Sequence, residues 1–296
     1  MQKLLSSFRY SVLALGLLLA SCQKEVVTPA PPVPPTPPTQ PQPVLPEHLM
    51  LGNPSGATED ASMPTNYLLY KPQYAMSYHH ERGIPNWVSW HLSPEWRGSS
   101  DRQDDFRPDN TLPAGWYQVQ ATSYTGSGFD RGHLCPSADR TNTVADNSAT
   151  FLMTNMMPQA PRNNQQTWAD LENYCRTFLG TGNELYIICG SYGKGGTGSK
   201  GGVTETLDQG RVTVPAHCWK VVVILPIGTN DATRLSASTR VIAIDTPNQN
   251  SLNLDWGTYR TSVDAIEAAT GLDILSAVPA AVQKVLEAKT DDGPTS

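Results

Sequence analysis

Positive charge is scarce in this chain of 296 residues: 21 Lys and Arg stand against 27 Asp and Glu, a net of −6. Domains that hold nucleic acid by bulk charge carry a basic excess, so that mode of binding is excluded, and any nucleic-acid chemistry needs a local arrangement. Long apolar runs are also missing. The longest stretch, Tyr10–Ala20, is too short for a bilayer span, which excludes a multi-span membrane protein. No Cys-x-x-Cys pair occurs, which argues against a structural zinc site. The Gly-rich stretch Gly190–Gly202 lacks the Gly-Lys-Ser/Thr ending of a phosphate loop and reads as a mobile hairpin loop. No fixed-period repeat is present. What remains, with 39% hydrophobic residues, is enough for one large globular domain or two small ones.

The start of the chain reads as an export signal. Lys3 and Arg9 precede the apolar run, and Leu19-Ala20-Ser21-Cys22 resembles a bacterial lipobox, in which residues 1–21 are removed and Cys22 is acylated. The exported form would keep 19 Lys and Arg against 27 Asp and Glu, a net of −8. Residues 22–47 are dominated by proline, which favours extended polyproline II and builds no core, so they read as a tether. The expectation is a cell-surface or periplasmic membrane-anchored lipoprotein, with a folded domain over 48–289 and a disordered tail over 290–296.

Within the domain, runs rich in Val, Ile, Trp and Tyr mark strands at Trp87–Leu92, Trp116–Gln120, Thr150–Thr154, Glu184–Cys189, Arg211–Val214, Cys218–Leu225 and Arg240–Ile244. Helical spacing of Trp168, Leu171, Cys175, Phe178 and Leu179 predicts a helix after Pro161 that ends before Gly180, and two more are expected at Ser262–Thr270 and Ala280–Ala288. Few strands are separated by a crossover helix. The fold class is therefore α+β, with a mostly antiparallel central sheet flanked by helices. Cys135, Cys175, Cys189 and Cys218 allow three disulfide pairings in an oxidising compartment, and Cys189 and Cys218 are placed to face each other on neighbouring strands.

Chemistry concentrates in two segments, GSGFDRGHLCPSADR, which contains Asp130-Arg131-Gly132-His133, and FLMTNMMPQAPRNNQQTWADLENYC. In this order and spacing they resemble the DNA/RNA non-specific endonucleases with a ββα-metal motif, the family of secreted bacterial nucleases and endonuclease G. The segments NWVSWHL, DRQDDFRPD, ELYIICG, VTVP and WKVVVIL extend the resemblance over most of the domain.

The resemblance implies an endonuclease that cuts DNA and RNA and leaves 5′-phosphates. It makes His133 the general base, a role that suits a side chain titrating near neutrality. It makes Asn164 the anchor of one Mg²⁺, with Mn²⁺ as a substitute; a hard cation that keeps several waters needs few protein oxygens. On a regular helix Asn164, Trp168 and Glu172 recur at i, i+4 and i+8 and share one stripe, so Glu172 can hold a water of the cation's hydration shell. Arg131 and Arg102 match positions that bind the phosphate and stabilise its transition state, as a planar guanidinium can. Arg107 and Arg140 are expected to pair with nearby acids instead, and Asp130 to shape its loop. Asn163 is given no role, and His48, His79, His80, His91 and His217 are taken as ordinary residues.

The acidic net charge is compatible with turnover, because a catalyst needs only transient binding at a locally positive cleft. It predicts modest affinity and strong salt sensitivity. Contacts restricted to phosphate carry no base information, which accounts for a lack of sequence preference. Two other classes stay open at this point: a catalytically silent nucleic-acid-binding domain, and a phosphodiesterase for substrates other than nucleic acid. A homodimer, as some relatives form, is likewise open.

Overall fold

The computed structural model describes residues 46–296, and the expected signal peptide, Cys22 and nearly all of the proline-rich tether lie outside them. In chain order the strands are β1 (Tyr67–Lys71), β2 (Tyr74–His79), β3 (Ile84–Leu92), β4 (Asp130–His133), β5 (Met156–Gln159), β6 (Asn183–Tyr192), β7 (Thr206–Leu207), β8 (Val212–Thr213), β9 (His217–Pro226), β10 (Arg240–Pro247) and β11 (Arg260–Thr261). The helices are α1 (Val144–Ala149), α2 (Ala169–Thr177), α3 (Asp231–Arg234), α4 (Val263–Thr270) and α5 (Ala280–Glu287). Seven strands form one antiparallel sheet in the order β1-β2-β3-β6-β9-β10-β11. This is the α+β architecture that the strand pattern predicts.

Alternate residues of the central strands face opposite ways, and both faces are covered. Val222, Trp90, Leu134, Trp168 and Leu171 pack on the face that carries the motif segments. Trp87, Tyr186, Val221 and Val223 pack on the other, under Ile266 of α4 and Leu286 of α5. Covering both faces explains why β9 is buried at every position from Cys218 to Leu225, a run that is apolar except at Lys220 in place of simple alternation.

Several elements differ from the sequence expectation. Trp116–Gln120 is irregular, its aromatic residues used for packing: Trp116 meets Tyr67 and His80, and Tyr117 bonds to Asp208. Thr150–Thr154 follows α1 as a pair of tight turns, with only an isolated bridge between Leu152 and Arg107. The hairpin of β1 and β2 went unpredicted; its strands are rich in Tyr, Leu, Met and Ala, and Pro72-Gln73 forms the turn between them.

The tail is not loose. Asp291 accepts from Arg240 at 2.8 and 2.9 Å, and Tyr174 of α2 donates to the Pro294 carbonyl at 2.6 Å. The Gly-rich loop is also tied down: Gly196 and Thr204 bond to each other, and Ser199 and Lys200 bond to Gly128 and Gly126 just before β4. All four described cysteines are buried and unpaired. Cys189 lies opposite Lys220 and Cys218 opposite Ser191, so the two thiols are out of register for a cross-strand bond.

Candidate active site and nucleic-acid cleft

Strands β4 and β5 pair antiparallel, with Asp130 opposite Gln159 and His133 opposite Met156, and the chain then turns at Pro161 into the helical segment that continues as α2. This is a ββα unit. Gly132 is required by the pairing, since a Cβ there would lie 2.3 Å from Gln159 Oε1 and 2.7 Å from its Cβ. The two-residue period of β4 sends Arg131 and His133 to one side and Asp130 to the other.

The helix does not start as a regular α-helix. Asn163–Trp168 form a wide π turn, and regular geometry begins at Ala169. Wide turns of this kind occur mostly as single turns inside α-helices, frequently at functional sites. Side-chain anchors hold this one. Asn163 is buried and donates to Thr246 at 3.1 Å, Arg162 N–H donates to Asn250, and Ala160 N–H donates to Asn248 at 2.8 Å. Asn248 in turn donates to the carbonyls of Pro158 and Pro215, joining β5, the helix start and the sheet through one buried amide. The changed pitch alters the simple i, i+4, i+8 geometry, yet Asn164, Trp168 and Glu172 still line one cavity with Arg102, Arg131 and His133. That cavity, about 210 Å³, adjoins an open cleft of about 380 Å³ that shares Arg102, Arg131 and Asn164 and adds Phe106, Tyr124, Asp130 and Gln165.

Each group has a definite chemical state. His133 Nε2 is buried without a hydrogen-bond partner, and the ring edges meet Phe106 and Phe151 at 5.5 and 4.9 Å between centroids. Burial, with Arg102 and Arg131 adding to it, pushes this imidazole down to about 3, well below the near-neutral titration expected from the sequence, so it is neutral at pH 7 and free to accept a proton, but as a weaker base than expected. Asn164 donates Nδ2 to Asp130 at 2.9 Å, and Gln165 donates to the same oxygen at 2.8 Å. A carboxylate only accepts, so this bond fixes the amide orientation and leaves Asn164 Oδ1 available as a ligand. Asp130 thus does more than shape its loop.

Arg131 donates to the Ala121 carbonyl at 3.2 Å and lies 3.8 Å from the Phe106 ring centroid, with no carboxylate partner among the described residues. Arg102 is half-exposed; it pairs with Asp104 at 2.7 Å, donates to Ser137 at 2.9 Å and covers the Phe151 ring. Arg107 pairs with Asp105 as expected. Arg140 does not pair with an acid. It is fully buried and donates to the carbonyls of Gln73, Asp139 and His91, while the Asp139 carboxylate takes Arg176 and Trp90. Among the described residues one group of three acids is close enough to share a cation, Asp264, Glu267 and Glu287, but it belongs to α4 and α5 on the opposite face of the sheet.

The ordered pair of segments, their ββα geometry and the shared cavity define what the chain should match, and residues 54–281 match the DNA/RNA non-specific endonucleases. The chain belongs to this family. Its relatives include a protein named Nuclease from Nostoc sp. (strain PCC 7120 / SAG 25.82 / UTEX 2576), 51% identical over 250 residues that make up 84% of this chain and 88% of that protein. Human mitochondrial Endonuclease G is 29% identical over 207 residues, covering 68% of this chain and 67% of that protein. A crystal structure of EndoG bound to its inhibitor EndoGI superposes with a TM-score of 0.63 at 23% identity, over 79% of this chain and 91% of that one, and shows the common fold. The chain is accordingly an endonuclease, cutting within nucleic-acid chains.

Sequence reasoning missed three residues that organise this site. Lys220 of β9 donates to Glu172 Oε1 at 2.8 Å; Asn248 fixes the entry to the helix; Phe106 supports Arg131. Only Lys220 left a signal, as the one charge within an apolar strand run.

Proposed function

We propose that this endonuclease hydrolyses phosphodiester bonds of both DNA and RNA with one Mg²⁺, or Mn²⁺ in its place, leaving 5′-phosphates. The carrying observation is the meeting, in one cavity, of a partnerless neutral imidazole, an amide oxygen freed by Asp130, a carboxylate and an arginine without an acid partner. The donor set suits a hard divalent cation: Asn164 Oδ1 would hold it, and Glu172 would hold a water of its hydration shell. When bound, the cation supplies positive charge against the phosphate and the departing oxygen.

The residues of the chain do the remaining work. His133 Nε2 takes the proton from the attacking water. Arg131 and Arg102 meet the non-bridging oxygens as charge accumulates there, and the aromatic rings beneath both guanidinium groups keep them aimed. Asp130 holds Asn164 in its ligating orientation.

The test is loss of supercoiled plasmid, of total RNA and of a small chromogenic phosphodiester, with Mg²⁺ or EDTA, beside an Asn164→Ala variant. Both nucleic acids should vanish only with metal, and the variant should be inert. Binding without cleavage would replace this reading with a silent binding domain, and cleavage of the small ester alone would replace it with a different phosphodiesterase.

The sequence around Cys22 further supports an exported protein held at a membrane by a lipid on that residue. Cys22→Ala should shift the protein from the membrane to the soluble fraction; a variant still bound would defeat the anchor. A homodimer is compatible with the family and has no interface assigned to it.

A further inference from the structure

Lys220 has an environment that packing alone does not explain. It is 1% exposed, on a strand whose neighbours on the same face, Cys218, Val222 and Ile224, are apolar. A buried ammonium costs several kcal/mol of lost hydration, and a methionine would fill the same space without that cost. The charge is accommodated by three groups: Glu172 Oε1 at 2.8 Å, the Trp168 ring at 4.2 Å and the Trp90 ring at 5.7 Å. Trp90 is itself fixed by its indole N–H donating to Asp139, which also binds Arg176 at 2.7 Å. The ammonium is therefore held from the sheet side and presented to a single carboxylate oxygen on the helix. Glu172 makes no hydrogen bond through its other oxygen among the described residues, and the side chain lines the cavity that holds His133 and Asn164.

We infer that Lys220 is a positioning residue: its ammonium locks one oxygen of Glu172 so that the other stays fixed toward the cation site at Asn164. This rests on the functional reading above. Burial alone pushes the Glu172 carboxyl up, toward its neutral form, and Lys220 opposes that push. The pair differs from a structural ion pair in what it orders, since a carboxylate that merely packed would have no need of a free oxygen in the cleft.

The experiment compares the purified wild-type chain with Lys220→Met, Lys220→Arg, Glu172→Gln and the Glu172→Gln/Lys220→Met double variant. Mn²⁺ dissociation constants by calorimetry and plasmid cleavage are both read. Lys220→Met should weaken Mn²⁺ binding and lower kcat by about 10- to 100-fold, the range for groups that orient a ligand sphere from behind, with KM little changed. Lys220→Arg should recover part of both. The double variant should be no worse than Glu172→Gln alone, because Lys220 acts only through Glu172. It also removes both buried charges, so it should fold even where Lys220→Met, left with an unpaired carboxylate, does not. Unchanged Mn²⁺ binding in a folded Lys220→Met protein, or losses that multiply in the double variant, would overturn the inference. A wild-type chain that binds Mn²⁺ and loses it on Lys220→Met, but cuts no nucleic acid, would sink the nuclease mechanism while leaving this inference standing.

Discussion

His133 is fixed by packing where a catalytic histidine is often fixed by a hydrogen bond. Two phenyl rings set its plane, and its buried nitrogen has no protein partner to lose. His133→Ala should therefore lower kcat by about 10²- to 10⁴-fold, the usual contribution of a general base. The variant should remain folded, with a melting temperature lowered only by the packing lost against the two rings; wild-type turnover would refute the assignment of the base. At this scale the sequence was most informative where a residue type has few uses. The order Asp-Arg-Gly-His followed by Asn164 and Glu172 identified five residues that line one cavity or its rim, Asp130, Arg131, His133, Asn164 and Glu172. Lys220 was visible only as a lone charge in an apolar run, and its role, like that of Arg140, was not legible, because it depends on partners 48 and 67 residues away in sequence, Glu172 and Gln73.

The β4–β5 pair is the element that sets the site, and its tightest point is Gly132. Gly132→Ala pushes a methyl group into Gln159, itself fully buried. Overpacking of this kind costs about 1–3 kcal/mol, read as a lower urea midpoint at unchanged slope. Activity should fall further than stability, because moving Gln159 displaces the strand that leads into the helix. No change in either would show that the close approach is readily relieved. Element by element, strands with β-branched runs were legible, and so were α4 and α5, which carry a Ser262 cap and a preceding Pro279. The π turn was not. Nothing in NNQQTW departs from helix-compatible composition, and the wide pitch depends on Thr246, Asn248 and Asn250, all supplied by the segment at and after the end of β10.

For the whole molecule, buried neutral imidazoles contribute to the response to acid. His48 is pushed down to about 4 by burial, then by the nearby Arg140 charge, and His133 to about 3. Both folded values lie below the ordinary value of 6.5, so the unfolded chain binds more protons below that pH. Their stabilising contribution is complete above about pH 6.5 and is lost as pH falls toward 4 and 3. His48 alone accounts for about 3 kcal/mol across that window. His217, raised by its bond to Asp245, has the opposite sign, and its contribution is lost as pH rises through its folded value. Melting temperature should drop steadily from pH 7 to pH 4, and a His48→Gln variant should flatten the slope. An acid limb unaffected by that change would assign it to other groups.

The four thiols sealed in the interior bear on where such a protein can be made and used. Their burial pushes Cys135 and Cys175 up to about 12, far from the thiolate that exchange reactions require. The sheet and its ββα unit close without any covalent cross-link among the described residues, so the domain has no oxidation step to complete and no bond for a reductant to break. The melting temperature measured with and without a thiol reductant should therefore be the same.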